Sequence, residues 1–116
     1  MFRSPSAAES IPLDAAPVFA ALGDATRLGI VARLCYGGPL SITRLSEGTP
    51  VTRQAITKHL HVLADAGLVR DRRHGRERIW ELESGRLEIA RGCLQRISEQ
   101  WDSAIGRLRA FVEDEP

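Results

Sequence analysis

Between Thr52 and Leu82 the hydrophobic period of the chain changes once, at a glycine, and that change limits what the chain can fold into. Before Gly67, Ile56, Leu60 and Leu63 recur at helical spacing. On a wheel of about 100° per residue they form one narrow stripe that also takes in Gly67. After Gly67, Leu68 to Arg73 and Glu77 to Leu82 read as two strands joined by a turn at His74 and Gly75. A helix from about Thr52 to Ala66, closed by a glycine C-cap and followed at once by a hairpin, leaves few architectures open.

The segments around this unit are helical. Leu13 to Leu22 reads as a short apolar helix, with Asp14 as a plausible N-cap and Pro17 near the first turn, where proline is tolerated. Gly23 ends it. Asp24 caps a second helix to about Tyr36, with Leu28, Val31, Ala32 and Leu34 to Cys35 at helical spacing. Gly37, Gly38 and Pro39 turn the chain. Ser41 caps a third, short helix through Ser46, with Ile42 and Leu45 on one side, and Gly48, Thr49 and Pro50 break it. Ser84 caps a last helix reaching about Val112. Residues 1–12 are rich in Ser, Ala and Pro without periodicity and read as a mobile tail, leaving one domain over 13–116.

The order α-α-α-α-β-β-α is mainly α with a small β-hairpin. Short helix, turn, longer helix, then hairpin is the winged helix-turn-helix arrangement, whose second helix enters the major groove of DNA. At 116 residues the chain is one domain, and 43% hydrophobic content suffices for a core without staples. Net charge is +1, which says nothing of nucleic acid, but seven basic residues stand against three acidic ones over residues 51–80. That local excess is the footprint of an anion-binding face. A solvated charged surface would carry the same balance, so charge alone does not decide.

The helix from Thr52 separates a core face from a ligand face. Gln54, Lys58, His61 and Asp65 fall opposite the apolar stripe, with Arg53 and Thr57 flanking them. Arg and Lys can donate to guanine or phosphate, Gln can pair with adenine, and a Thr methyl can contact thymine. Thr52 and the helix N-terminus offer free N–H groups to a phosphate. His59 lies at the edge of the stripe and reads as a packed histidine bonded to a neighbouring helix. His61 points outward as a candidate DNA contact. In the hairpin, Arg70, Arg72, Arg73, His74, Arg76 and Arg78 surround a tight turn, where Gly75 permits positive φ. Such a wing can lie on the backbone or reach the minor groove. Trp80 reads as packing rather than as a base-stacking platform.

The last helix carries a seam. Leu87, Ala90, Leu94, Ile97, Trp101, Ala104, Leu108 and Phe111 alternate in steps of three and four, an a/d heptad pattern. A stripe this long implies a partner helix, most economically a second copy of the chain. Packing against the first helix is the intramolecular alternative, and the two are compatible.

Three segments resemble the ArsR-type bacterial winged-helix regulators. LGDATRLGI (22–30) is similar to their second-helix signature, TRQAITKHLHVLADAGLV (52–69) to their recognition helix running into the first wing strand, and RRHGRERIWEL (72–82) to their wing. The likeness spans roughly residues 14–112. It implies a homodimeric repressor that binds double-stranded DNA through Gln54, Thr57, Lys58, His61 and the wing arginines, that dimerises through its first and last helices, and that leaves its operator on a signal. Metal-sensing members carry a Cys-x-Cys motif on the third helix or spaced Asp and His on the last. This chain has ITRLSEG at 42–48, and residues 84–112 hold no His and only Asp102. Zinc-type ions need thiolates and imidazoles, so no metal and no cofactor is expected, and the effector stays open. Some relatives sense oxidants through cysteines on the second and last helices, where Cys35 and Cys93 fall, which leaves a thiol-responsive repressor as an alternative.

Other classes fit less well. There is no phosphate loop, nucleophile–base arrangement or metal cluster to suggest an enzyme. A winged helix used only for protein association stays possible, although an outward Arg, Gln and Lys set suits a dry protein interface poorly. No apolar run reaches membrane-span length, the N-terminus lacks a secretory pattern, and the two cysteines have no scaffold spacing. A reducing cytoplasm is the expectation.

Overall fold

The computed structural model describes residues 13–114. The tail expected over residues 1–12 lies outside them. A single 3₁₀ turn, Leu13–Ala15, leads into α1 (Ala16–Leu22), and α2 (Ala25–Gly37) follows after Gly23 and Asp24. Next come β1 (Leu40–Ser41), α3 (Ile42–Ser46), α4 (Arg53–Asp65), β2 (Val69–His74), β3 (Glu77–Leu82) and α5 (Ser84–Glu113). The fold is mainly α with one small antiparallel sheet, ordered β1-β3-β2.

Three helix starts are built by side-chain caps. Asp24 Oδ2 accepts from Arg27 N at 3.0 Å, Ser41 Oγ from Arg44 N at 3.2 Å, and Thr52 Oγ1 from Ala55 N at 3.1 Å. Each satisfies an N–H that the first helical turn leaves without a partner. Two expected caps are corrected. Asp14 lies in the 3₁₀ turn and pairs with Arg86 at 3.8 Å, while Ala15 precedes α1 without a side-chain bond. Ser84 is the first residue of α5, and Glu83 before it makes no side-chain cap. Both sites have a polar residue beside the start, and a one-residue offset suffices to lose the geometry.

The core is one cluster. Leu45 of α3, Ile56, Leu60 and Leu63 of α4, Ile30, Val31 and Leu34 of α2, Val18 of α1, and Leu68, Val69 and Trp80 of the sheet segment pack together. Along α2 the stripe differs from expectation, since Ile30, Val31 and Leu34 are buried while Leu28, Ala32 and Cys35 are exposed. Several apolar residues on α2 face outward, and spacing alone did not separate the two sets. β1 was missed altogether. Its two residues follow Pro39 and show no period, yet Leu40 pairs with Trp80 and Ser41 with Ile79.

The hairpin register is Val69 opposite Leu82 through His74 opposite Glu77. This moves β2 one residue along from Leu68–Arg73 and puts the turn at Gly75 and Arg76 rather than His74 and Gly75. Gly75 has φ +65° and Arg76 after it does not have positive φ, which is the φ pattern of a type II′ turn with Gly first. At Gly67 φ is +78°, and a Cβ there would come within 2.7 Å of Arg86 Cγ, so conformation and space both select glycine.

α5 packs on the domain only at its start. Leu87 is half-buried, and Ala90 and Cys93 are buried against the body that includes α1 and the 3₁₀ turn. Beyond Cys93 the helix projects. The molecule measures 70 × 30 × 22 Å, and its radius of gyration is 19.6 Å. A compact chain of about 100 residues has about 13 Å. Among the described residues no single helix is long and apolar enough to cross a membrane.

Candidate nucleic-acid interface

The core stripe of α4 fixes which of its side chains reach out. With Ile56, Leu60 and Leu63 buried, Thr52, Arg53, Gln54, Lys58 and His61 are exposed and Thr57 is half-exposed. Thr57 Oγ1 donates to Arg53 O at 2.9 Å, so its proton is used within the helix. Thr52 serves first as the N-cap. His61 is exposed but not isolated, because its ring meets Trp80 edge-on at 90° with centroids 6.0 Å apart. That contact ties α4 to β3. Trp80 itself is 2% exposed, and its indole N–H has no partner among the described residues. The ring is therefore held by packing rather than by a hydrogen bond.

His59 faces the other way, toward α2. Arg27 Nη1 lies 3.4 Å from His59 Nδ1, a contact in which Nδ1 accepts, and Asp24 Oδ2 lies 3.9 Å from the same nitrogen. Arg27 Nε also donates to Ala21 O at 2.6 Å. The group braces the recognition helix against the start of α2. Asp24 is held below the usual carboxylate range, chiefly by the Arg27 backbone N–H that it accepts, against the opposing effect of desolvation, and then by the nearby Arg27 charge.

Ion pairing divides the wing arginines into two sets. Arg70 lies 3.4 Å from Glu81 and 3.6 Å from Glu83, Arg72 Nε donates to Glu81 at 3.2 Å, and Arg78 Nε lies 3.0 Å from Asp71. These pairs follow from the register, which places Arg70 opposite Glu81, Arg72 diagonal to it, and Asp71 diagonal to Arg78. Among the described residues Arg73 and Arg76, at the tip, have no carboxylate within ion-pair distance, and the same holds for Arg53 and Lys58 on α4. Helix and wing meet at a cleft of about 180 Å³ lined by Thr43, Arg53, Arg76, Glu77 and Arg78, among others. Thr43 was not singled out from the sequence, and Arg78 was read only as one of the wing's basic cluster. Thr43 carried no charge signal, and Arg78 could not be told from its neighbours without the register.

Along the seam, Leu94, Ile97, Trp101, Leu108 and Phe111 are exposed, as is Ala104. Ile105 and Val112, which the a/d reading did not include, are exposed beside them. Cys35 is exposed and Cys93 buried, both as free thiols. Among the described residues no group of three or more His, Cys, Asp or Glu side chains could hold a metal ion.

A short α3, a capped α4 with a polar outer face and a basic hairpin packed on it define a winged helix-turn-helix module. Comparison with known proteins agrees. A helix-turn-helix domain family matches residues 22–72. An HTH-type transcriptional regulator of Mycobacterium tuberculosis is 38% identical over 95 residues, covering 82% of this chain and 85% of that one. The arsenical resistance operon repressor of Escherichia coli is 30% identical, covering 84% and 80%. Among solved structures, an ArsR-like transcriptional regulator from Rhodococcus sp. RHA1 superimposes with a TM-score of 0.72 at 35% identity, covering 88% of this chain and 95% of that one. The chain belongs to the ArsR family of helix-turn-helix transcriptional regulators. It is a DNA-binding regulator and not an enzyme.

Proposed function

We propose that this protein is a sequence-specific repressor that acts in the cytoplasm, binding a palindromic operator as a homodimer, without a metal effector. The observation that carries the DNA reading is the set of uncompensated cations. Arg53 and Lys58 on α4 and Arg73 and Arg76 on the wing have no carboxylate partner among the described residues, while Arg70, Arg72 and Arg78 are paired. Phosphates supply the missing charge. Gln54, Lys58 and His61 then face base edges, Thr57 and Thr52 flank them, and Arg72, Arg73, His74 and Arg76 approach the backbone or minor groove. The repressor sign rests on the Escherichia coli relative, which is named as a repressor.

Dimerisation rests on α5. A strict a/d stripe would suit one partner helix. With Ile105 and Val112 added the stripe widens toward the a/d/e face of a helix that packs on more than one element. A second copy supplies these as its own α5 and the exposed Leu13, Pro17 and Ala20 beside α1. The absence of a metal effector rests on the donor set, since thiolate and imidazole ligands do not cluster among the described residues.

The test is a gel shift and footprint on DNA upstream of the gene. Two protected half-sites about 34–36 Å apart are expected. Binding that ignores sequence would contradict the reading.

A further inference from the structure

We propose that a single DNA backbone phosphate seats in the cleft between α3, the start of α4 and the wing turn, held by Arg53 and Arg76 together. This rests on the reading that the protein binds duplex DNA, and goes further by naming one shared contact for helix and wing.

The cleft holds about 180 Å³, the volume of about six waters at about 30 Å³ each. That is room for one phosphate and a few waters. Three arginines from the helix and the wing line it, Arg53, Arg76 and Arg78, against one acidic residue, Glu77. Their roles differ. Arg78 is engaged with Asp71 at 3.0 Å, which offsets its charge and leaves it less free to grip. Arg53 and Arg76 have no carboxylate partner among the described residues, so their planar donor forks are available to an anion. Thr43 adds a hydroxyl that can donate. Like charges gathered from separate elements repel one another, and an anion between them reverses the sign of that interaction.

The position matters for recognition. Phosphate contacts fix register, and base contacts read sequence. Gln54 follows Arg53 in the chain, and Lys58 lies about one and a half turns farther along α4. A phosphate held at once by Arg53 and the wing turn fixes how deep and at what angle α4 enters the groove. The wing then governs specificity at bases it does not touch. Glu77 acts against the phosphate and moderates sequence-independent binding.

The experiment is a double-mutant cycle on operator affinity in the full-length protein, with circular dichroism to confirm that each variant folds. Arg53→Ala and Arg76→Ala are each expected to raise Kd about tenfold. The double variant is expected within about threefold of the weaker single, because one phosphate can be lost only once. Lys58→Ala with Arg76→Ala is the control pair, and their effects should multiply. Replacing one phosphate with an uncharged methylphosphonate should abolish the effects of both Arg53→Ala and Arg76→Ala. Glu77→Gln should tighten binding several-fold on operator and scrambled DNA alike. Multiplicative losses of about a hundredfold for the Arg53 and Arg76 pair, with two different sensitive phosphates, would overturn the shared site while leaving DNA binding intact. Unchanged or weaker binding by Glu77→Gln would also count against it. A wild-type protein that shifts no DNA would overturn the DNA reading and the shared phosphate with it.

Discussion

In the body of the molecule Leu60, Leu63 and Leu68 are fully buried, and each apolar stripe has another element against it. Along α5 beyond Cys93, Trp101, Leu108 and Phe111 are between 64% and 69% exposed, and no described residue covers them. The body has a hydrophobic core of its own, whereas the arm carries an apolar face and no core to bury it in. Monomeric proteins rarely leave such contiguous patches open. The difference separates two parts of one regulator: a head with its own packed core, and an arm whose apolar face is open.

The sharpest way to break this comparison is to delete volume in each region. Leu60→Ala is expected to cost about 2–5 kcal/mol of unfolding free energy, since the cavity lies where three helices and the sheet meet. Leu108→Ala, measured at dilution where chains are separate, should stay within about 0.5 kcal/mol of wild type. Urea unfolding checks both. Comparable losses would mean that the arm is already packed in the monomer.

A smaller effect is expected when the arm alone is charged. Trp101→Asp should leave the head folded but weaken binding to a two-half-site operator by about a hundredfold or more, because the linked second half-site is lost. Titration of labelled operator reads this. Equal affinity would remove the arm from DNA recognition.

Smaller still is the division within the wing. Arg73→Ala or Arg76→Ala should each reduce the slope of log affinity against log salt by about one unit. Arg72→Ala should change it less, because that guanidinium is bound to Glu81. Equal slopes for all three would erase the distinction between tip and base.

The brace behind α4 responds to pH. The folded-state pKa of Asp24 is depressed, first by the Arg27 N–H that it accepts. Its stabilising contribution is therefore present above the unfolded value of about 3.9 and is lost as pH falls through the lower folded value. Asp24→Ala should be less stable than wild type at pH 7, with the gap closing toward pH 2. A gap that persists would assign its role to packing rather than to charge.

Much of the head could be read directly. Capping residues Asp24 and Ser41 have local rules, and the Ile56, Leu60 and Leu63 stripe has a clear period, so the helices and the outward face of α4 followed from short-range physics. β1 did not, because two residues carry no period and their pairing to Trp80 and Ile79 is long-range. The one-residue shift of the hairpin came from the turn, since a Gly-first turn starts at Gly75 and not before it. The ion pairs of Arg70, Arg72 and Arg78 depend on that register, so the division between free and paired arginines could not be read from composition. On α5 the a/d pattern was visible, but which end had cover was not. Only the packing of Leu87 and Ala90, against the exposure of Leu94 onward, makes that distinction.

The comparison between head and arm has one direct test, which is the mass of the protein in solution by light scattering at micromolar concentration. Wild type should have twice the 12.8 kDa of the chain, and Trp101→Asp should have a single chain's mass with an unchanged circular dichroism spectrum. A wild-type mass of one chain, or a variant that remains paired, would contradict the account.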